Sequence, residues 1–165
     1  MRETIEGFPS KLKYNKIMAY KFSEEYLKKS LSYDEYILLT ERLVAEGKTT
    51  GENQDSEMIE YTKLNAQRMN RIYKTFVVSN DFNDVLKEKQ HWVLIAEPWC
   101  GDAANTVPVI AKIAEGSDNV MLHILLRDEN TDVMNEYLTN GAKSIPILIF
   151  LNENYEEKHV WGPRP

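Results

Sequence analysis

A single cysteine, Cys100, stands where the apolar run Trp92-Val93-Leu94-Ile95-Ala96 passes through Glu97-Pro98-Trp99 into a segment with Val107, Ile110 and Ile113 at helical spacing. A thiol so placed sits at a helix N-terminus, where unsatisfied amides and the helix dipole pull its pKa below the free value of about 8.5. Asp102 shares that first turn, competes for the same positive potential and opposes thiolate formation by its charge. The two influences have opposite sign, and the sequence leaves their net direction open. A lone sulfur of this kind can attack a disulfide, hold the mixed disulfide, and be released by a second, external thiol. An intramolecular dithiol cycle is excluded, because the chain has no other cysteine. The competing reading is a reduced cysteine packed beside Trp99 and Pro146 that never turns over.

No other residue set competes with this one. His91, His123 and His159 lack the spacing of a zinc set, and one cysteine with scattered histidines is poor ligand chemistry; structural or surface roles are expected for all three, and neither a metal nor a cofactor is expected. Glu97 and Asp102 flank the thiol without the spacing of an acid–base pair. Asp128-Glu129-Asn130 follows a strand end and is read as a solvated loop. Trp161 and Arg164 are read as rim or packing residues. The seven glycines are dispersed, so no phosphate-cradling loop is present.

The elements that must position Cys100 follow from periodicity. Ser32-Tyr33-Asp34-Glu35 has the capping-box pattern, with Tyr36, Leu39, Leu43 and Val44 behind it at helical spacing and Gly47 as a stop. Lys48 to Ser56 is polar and predicts a loop. A second helix is predicted from about Glu57 towards Phe76, its apolar face carrying Met58, Tyr61, Leu64, Ile72 and Phe76. Ser79-Asn80-Asp81 predicts a cap for a short helix through Leu86. Trp92–Ala96 and Val120–Leu126 read as buried strands. A helix over Thr131 to Leu138 ends at Asn140-Gly141, and Ile147–Phe150 is followed by a turn into a last strand, roughly Tyr155 to Trp161. This order implies a parallel pair built by crossovers and finished by an antiparallel hairpin.

These residues resemble the thioredoxin superfamily. Trp99-Cys100-Gly101 matches its tryptophan-cysteine-glycine signature at the strand–helix junction. Pro108 matches the proline within its active-site helix, and Ser144-Ile145-Pro146 matches the segment whose proline is cis in that family and lies against the sulfur. The resemblance covers about residues 80–162 and implies an α/β thioredoxin-like fold, a mixed central sheet flanked by helices. It also implies a substrate groove at Trp99, Gly101, Asp102, Ile145 and Pro146 around a catalytic Cys100. Two departures matter. The segment Cys100-Gly101-Asp102-Ala103 has alanine at the resolving position, and Leu94 stands where thioredoxins place a buried aspartate six residues before the nucleophile. The glycine-glycine-x-aspartate segment of monothiol glutaredoxins is missing after Pro146, and Glu97 occupies the position of the peroxiredoxin threonine.

Charge supports a division of the chain. Residues 1–80 carry 13 basic and 12 acidic side chains, residues 81–165 only 7 against 14, and the whole chain of 165 residues has a net charge of −6. The expected organisation is a helical N-terminal extension, residues 1–78, packing on a thioredoxin-like domain, residues 79–165, in which the family's final helix is not seen: either the chain is a shortened one or something else covers that sheet face. The sheet face left open there needs a cover, and the N-terminal helices are the expected one, in cis or exchanged in a homodimer. An acidic chain disfavours nucleic acid as partner, no run is long enough for a bilayer, and the first residues lack a signal-peptide core, so a soluble cytoplasmic protein is expected. Two functions stay open. One is monothiol thiol–disulfide exchange through Cys100, with a protein disulfide or low-molecular-weight thiol as partner. The other is a non-catalytic thioredoxin-like module that binds peptide or protein, or a dimeric scaffold.

Overall fold

The computed structural model describes residues 19–79 and 86–163. The capped helix expected after Ser79 falls on residues 80–85 and lies outside the described residues. Helix α1 (Glu24–Leu27) is followed by α2 (Tyr33–Ala45) and α3 (Ser56–Thr75). The remainder is β1 (Gln90–Ala96), α4 (Gly101–Glu115), β2 (Val120–Leu126), α5 (Thr131–Met134) with a 3-10 turn over Asn135–Tyr137, then β3 (Ile147–Asn152) and β4 (Glu157–Trp161). The capping box forms as the sequence requires: the Glu35 amide donates to Ser32 Oγ, and the Ser32 amide donates to the Glu35 carboxylate at 2.8 Å. Gly47, at φ +66, supplies the left-handed residue that turns the chain away after α2.

The four strands form one mixed sheet in the order β2-β1-β3-β4. Strand β1 runs parallel to β2, through the crossover of α4, and antiparallel to β3, which forms a hairpin with β4. The buried residues of β1 therefore divide between two faces. Trp92, Leu94 and Ala96 join Ile124, Leu126 and Leu148 under α4, α2 and α3. Val93 and Ile95 join Leu125, Ile147 and Ile149 under Leu27, Val133, Met134 and Tyr137. Leu94 lies between Ile124 and Leu148 and is fully buried, a purely apolar position in this chain.

Three expectations are corrected. The helix predicted over Thr131–Leu138 is α-helical only to Met134 and tightens into a 3-10 turn before Asn140-Gly141, both at positive φ, reverse the chain. The buried side of α3 is not the apolar set: Tyr61 and Leu64 are about half exposed, whereas Thr62, Asn65 and Met69 are buried. The reason is the partner. Helix α3 packs along α4, whose face is small (Ala103, Ala104, Ala111), so the axes come close and the polar residues of α3 reach the turn before α4. The loop predicted over Lys48–Ser56 exists, but Thr49 and Thr50 within it are buried.

The N-terminal helices sit against α4 and the β2 edge. Leu31 exchanges two backbone hydrogen bonds with Ile124 (2.9 and 2.8 Å), closing part of that edge. On the α4 side they leave part of β3 and β4 uncovered: among the described residues, an open apolar groove there is lined by Trp92, Ile110, Ile113, Leu148, Phe150 and Trp161.

Candidate functional site

Strand β1 ends at Ala96, and the turn Glu97–Cys100, closed by the Cys100 amide donating to the Glu97 carbonyl at 3.0 Å, delivers the sulfur to the start of α4. Cys100 is the N-cap of that helix, and its Sγ accepts from the Ala103 amide at 3.5 Å. As a thiol it donates to the carbonyl oxygen of Ile145 at 3.7 Å. The Ile145–Pro146 peptide bond is cis. Cys100 and Trp99 are half-buried, Gly101 is exposed, Asp102 is half-exposed, and Ile145 and Pro146 are buried. Gly162, at the end of β4, backs this loop.

The electrostatic balance that the sequence left open resolves upward. Burial pushes the Cys100 thiol above its ordinary value; the Ala103 and Asp102 amides pull it down, the Asp102 carboxylate pushes it up again, and Arg127 offsets part of that. Arg127 also shapes the rim, its guanidinium lying 4.6 Å from the Trp99 ring centroid while it donates to Asp128 at 2.8 Å and to the Lys143 carbonyl at 3.3 Å.

Behind the sulfur lies a polar cluster that sequence reasoning missed. Glu97 is completely buried. The Thr50 hydroxyl donates to one of its oxygens, and the Asp128 amide donates to the other at 2.9 Å. Burial raises the Glu97 carboxyl, and these two hydrogen bonds partly counter the rise. Thr49 meets Thr62 at 2.5 Å, Asn65 donates to the Pro98 carbonyl at 2.9 Å, and Arg68 donates to Asn65 at 3.2 Å. The loop after α2 and the buried side of α3 thus clamp the turn from behind. Glu97 was legible only as an ionisable residue directly after five buried strand positions. Thr50 and Asn65 carry no local signal.

His91 on β1 and His123 on β2 meet towards the far end of the sheet, whereas His159 stands on β4. His91 Nδ1 and His123 Nε2 are 3.0 Å apart, and His123 Nδ1 is 2.9 Å from Ser30 Oγ. Asp128 and Glu129 are exposed as expected, but Asn130 is buried, donating to the Leu126 carbonyl and accepting from the Tyr26 hydroxyl. No cluster of three or more His, Cys, Asp or Glu residues that could hold a metal occurs among the described residues. No helix among them is long and apolar enough to cross a membrane.

A parallel β1–α4–β2 crossover, an antiparallel β3–β4 hairpin, and a cysteine capping α4 opposite a proline loop define a thioredoxin-like protein. Consistent with this, a family model described as thioredoxin matches residues 51–165. The chain belongs to the thioredoxin family. It is 35% identical over 69 residues to thioredoxin 1 of Synechococcus elongatus, covering 41% of this chain and 62% of that relative's length. Among solved structures, an HIV epitope scaffold superposes with a TM-score of 0.59 at 12% identity, over 86% of this chain and 76% of its own. A protein of unknown function from Pseudomonas aeruginosa gives 0.51 at 16% identity, over 82% and 78%. These two likenesses concern the fold alone.

Proposed function

We propose that the protein carries out monothiol thiol–disulfide exchange through Cys100. The observation that supports this most directly is the placement of the sulfur: half-exposed, capping α4, and against the Ile145 carbonyl on the loop that lines the groove. The Cys100 thiol gives up its proton to solvent, and the thiolate attacks a disulfide RS–SR′. A Cys100–S–SR bond forms, and R′S⁻ leaves and is protonated. A second thiolate, from a low-molecular-weight thiol, then attacks the R sulfur, forming a new disulfide and returning Cys100 as thiolate; electrons balance with one disulfide consumed and one produced. Trp99 and the Ile145–Pro146 segment shape the groove, and Gly101 leaves the approach open beside the sulfur. Because burial raises the thiol, exchange is slow at neutral pH and quickens as pH rises.

In this reading residues 1–78 are an extension that braces the turn before Cys100, and residues 79–165 carry the chemistry. The partner is a protein disulfide or a small oxidised thiol in a reducing compartment such as the cytoplasm. The test is intact mass after incubation with an oxidised low-molecular-weight thiol. One adduct is expected, released by a second thiol and missing in Cys100→Ser. An alkylatable Cys100 that forms no adduct would overturn the reading.

A further inference from the structure

Arg68 reaches the site from α3. It stands one turn after Asn65 and donates through Nη1 to Asn65 Oδ1 at 3.2 Å, while Asn65 Nδ2 donates to the Pro98 carbonyl at 2.9 Å. These contacts carry the guanidinium past the turn before Cys100 to the first residue of α4, Gly101. There Nη1 lies 3.7 Å from the place a Cβ on Gly101 would occupy. Gly101 is exposed and helical, not left-handed, so its backbone does not call for glycine. What the missing side chain gives is room. Gly101 follows Cys100 directly, with about 3.8 Å between their Cα atoms, so that room opens beside the sulfur-bearing residue and a guanidinium borders it.

A second cation flanks the other side of Cys100. Arg127 lies over Trp99, but its charge is met by Asp128 through hydrogen bonds of 2.8 and 3.2 Å. Arg68 is held instead by a neutral amide, and that bond uses one of the five N–H groups in a planar fork that fits a carboxylate. Asp102, the residue after Gly101, is the chain's own acid in this turn and the one a ligand must outcompete. We propose that Arg68 selects the small thiol, receiving a free carboxylate of a peptide-sized disulfide that lies along the open backbone at Gly101 while Cys100 attacks its sulfur. The proposal rests on the exchange reading and adds the chemistry of its low-molecular-weight partner, which is anionic. No contact between Arg68 and the sulfur is involved. The Cys100–S–SR bond forms and R′S⁻ leaves as before, and the carboxylate takes no part in the electron balance.

The test compares oxidised glutathione with the disulfide of its ethyl ester, the same skeleton with the glycine carboxylates blocked. Mixed-disulfide formation at Cys100, followed by intact mass at low ionic strength, should be about fivefold faster with the acid. That preference runs against the repulsion a chain of net charge −6 exerts on an anion. In Arg68→Gln the ratio should fall to near one, and Arg68→Lys should keep part of it, the charge surviving without the fork. A ratio taken within one variant cancels changes in stability and in thiolate formation. An Arg68 that only braces Asn65 would therefore leave it unchanged, and that result overturns the proposal, as does a wild type that reacts equally with both. If Arg68→Gln does not fold, salt decides: about 0.5 M sodium chloride should at least halve the wild-type ratio, and a ratio that persists overturns the proposal. S-methylglutathione, which has no disulfide to exchange, separates the two readings. It should slow alkylation of wild-type Cys100 by iodoacetamide and protect Arg68→Gln about fivefold less well. A wild type that forms no mixed disulfide yet shows this Arg68-dependent protection would sink the exchange reading and leave this one standing. Absence of protection in the wild type overturns the proposal even where exchange proceeds.

Discussion

The backbone of Gly162 lies so close to Pro146 that a Cβ added there would stand 2.4 Å from the Pro146 carbonyl oxygen. Gly162 also holds a φ of +91, a region that residues with a side chain seldom adopt. The end of β4 and the loop facing the sulfur therefore share one contact that only glycine permits. Gly162→Ala should destabilise the protein by about 2–3 kcal/mol, measured by urea unfolding. Because the overlap is with backbone, relief requires the 145–146 segment to shift, so the alkylation rate of Cys100 should change as well. A variant as stable and as reactive as the wild type would show that the contact is not maintained in solution.

Glu97 makes stability depend on pH in a direction opposite to that of a salt-bridged carboxylate. Its folded pKa is raised, by burial first, so the folded state holds the proton more tightly than the unfolded one. The contribution is complete below the unfolded value and is lost as pH climbs through the folded one. Glu97→Gln keeps an acceptor for the Asp128 amide and offers an amide hydrogen to the Thr50 oxygen while removing the charge. It should match the wild type near pH 4 and exceed it at pH 7 by on the order of 1 kcal/mol. Urea midpoints at the two pH values decide this; equal stability at both would mean Glu97 is not a buried charge.

The histidine pair supplies a second, separate titration. Ser30 donates its one hydroxyl hydrogen to the Leu27 carbonyl at 2.6 Å, so toward His123 Nδ1 its oxygen can only accept. His123 Nδ1 therefore carries the hydrogen, and Nε2 accepts from His91 Nδ1. Protonating His123 would break that link, and burial, with the His91 charge, brings its pKa down to about 4. Stability from this group is full above the unfolded value and is lost as pH falls toward 4, by up to about 3 kcal/mol. In His123→Gln the acid-side slope between pH 6.5 and 4 should flatten. An unaltered slope would place the titration elsewhere.

Legibility in the sequence followed the range of the interaction. The strands, the stop at Gly47 after α2 and the capping box at Ser32 are set by neighbours within a few residues, and the pattern of types exposes them. Trp99-Cys100-Gly101 and Ile145-Pro146 were legible through resemblance, although 45 residues separate the sulfur from the carbonyl it meets. The polar backing of the site was not. Thr50 reads as a loop threonine and Asn65 as a solvent-facing helical residue until α3 is laid on the alanine face of α4, which periodicity cannot announce. Tyr36 was recognised as a core residue, but nothing local marks its hydroxyl as unpaired.

Ala103 occupies the position where a resolving thiol would stand. Its amide is 3.5 Å from the Cys100 sulfur, and its side chain is completely buried in the first turn of α4. Residues three apart on a helix bring their Cα atoms to about 5 Å, within the span a disulfide bridges. Ala103→Cys should therefore form an internal disulfide, visible as a loss of two hydrogens in intact mass. Adding one sulfur to a filled site should lower stability of the reduced form by about 1–2 kcal/mol. With external thiol limiting, reduction of a model disulfide should quicken by at least roughly tenfold, since a positioned intramolecular thiol outcompetes millimolar thiol in solution. An internal disulfide that forms without any gain in rate would show that release by external thiol is not the slow step. The barrier would then lie in generating the Cys100 thiolate, where burial and the Asp102 charge act.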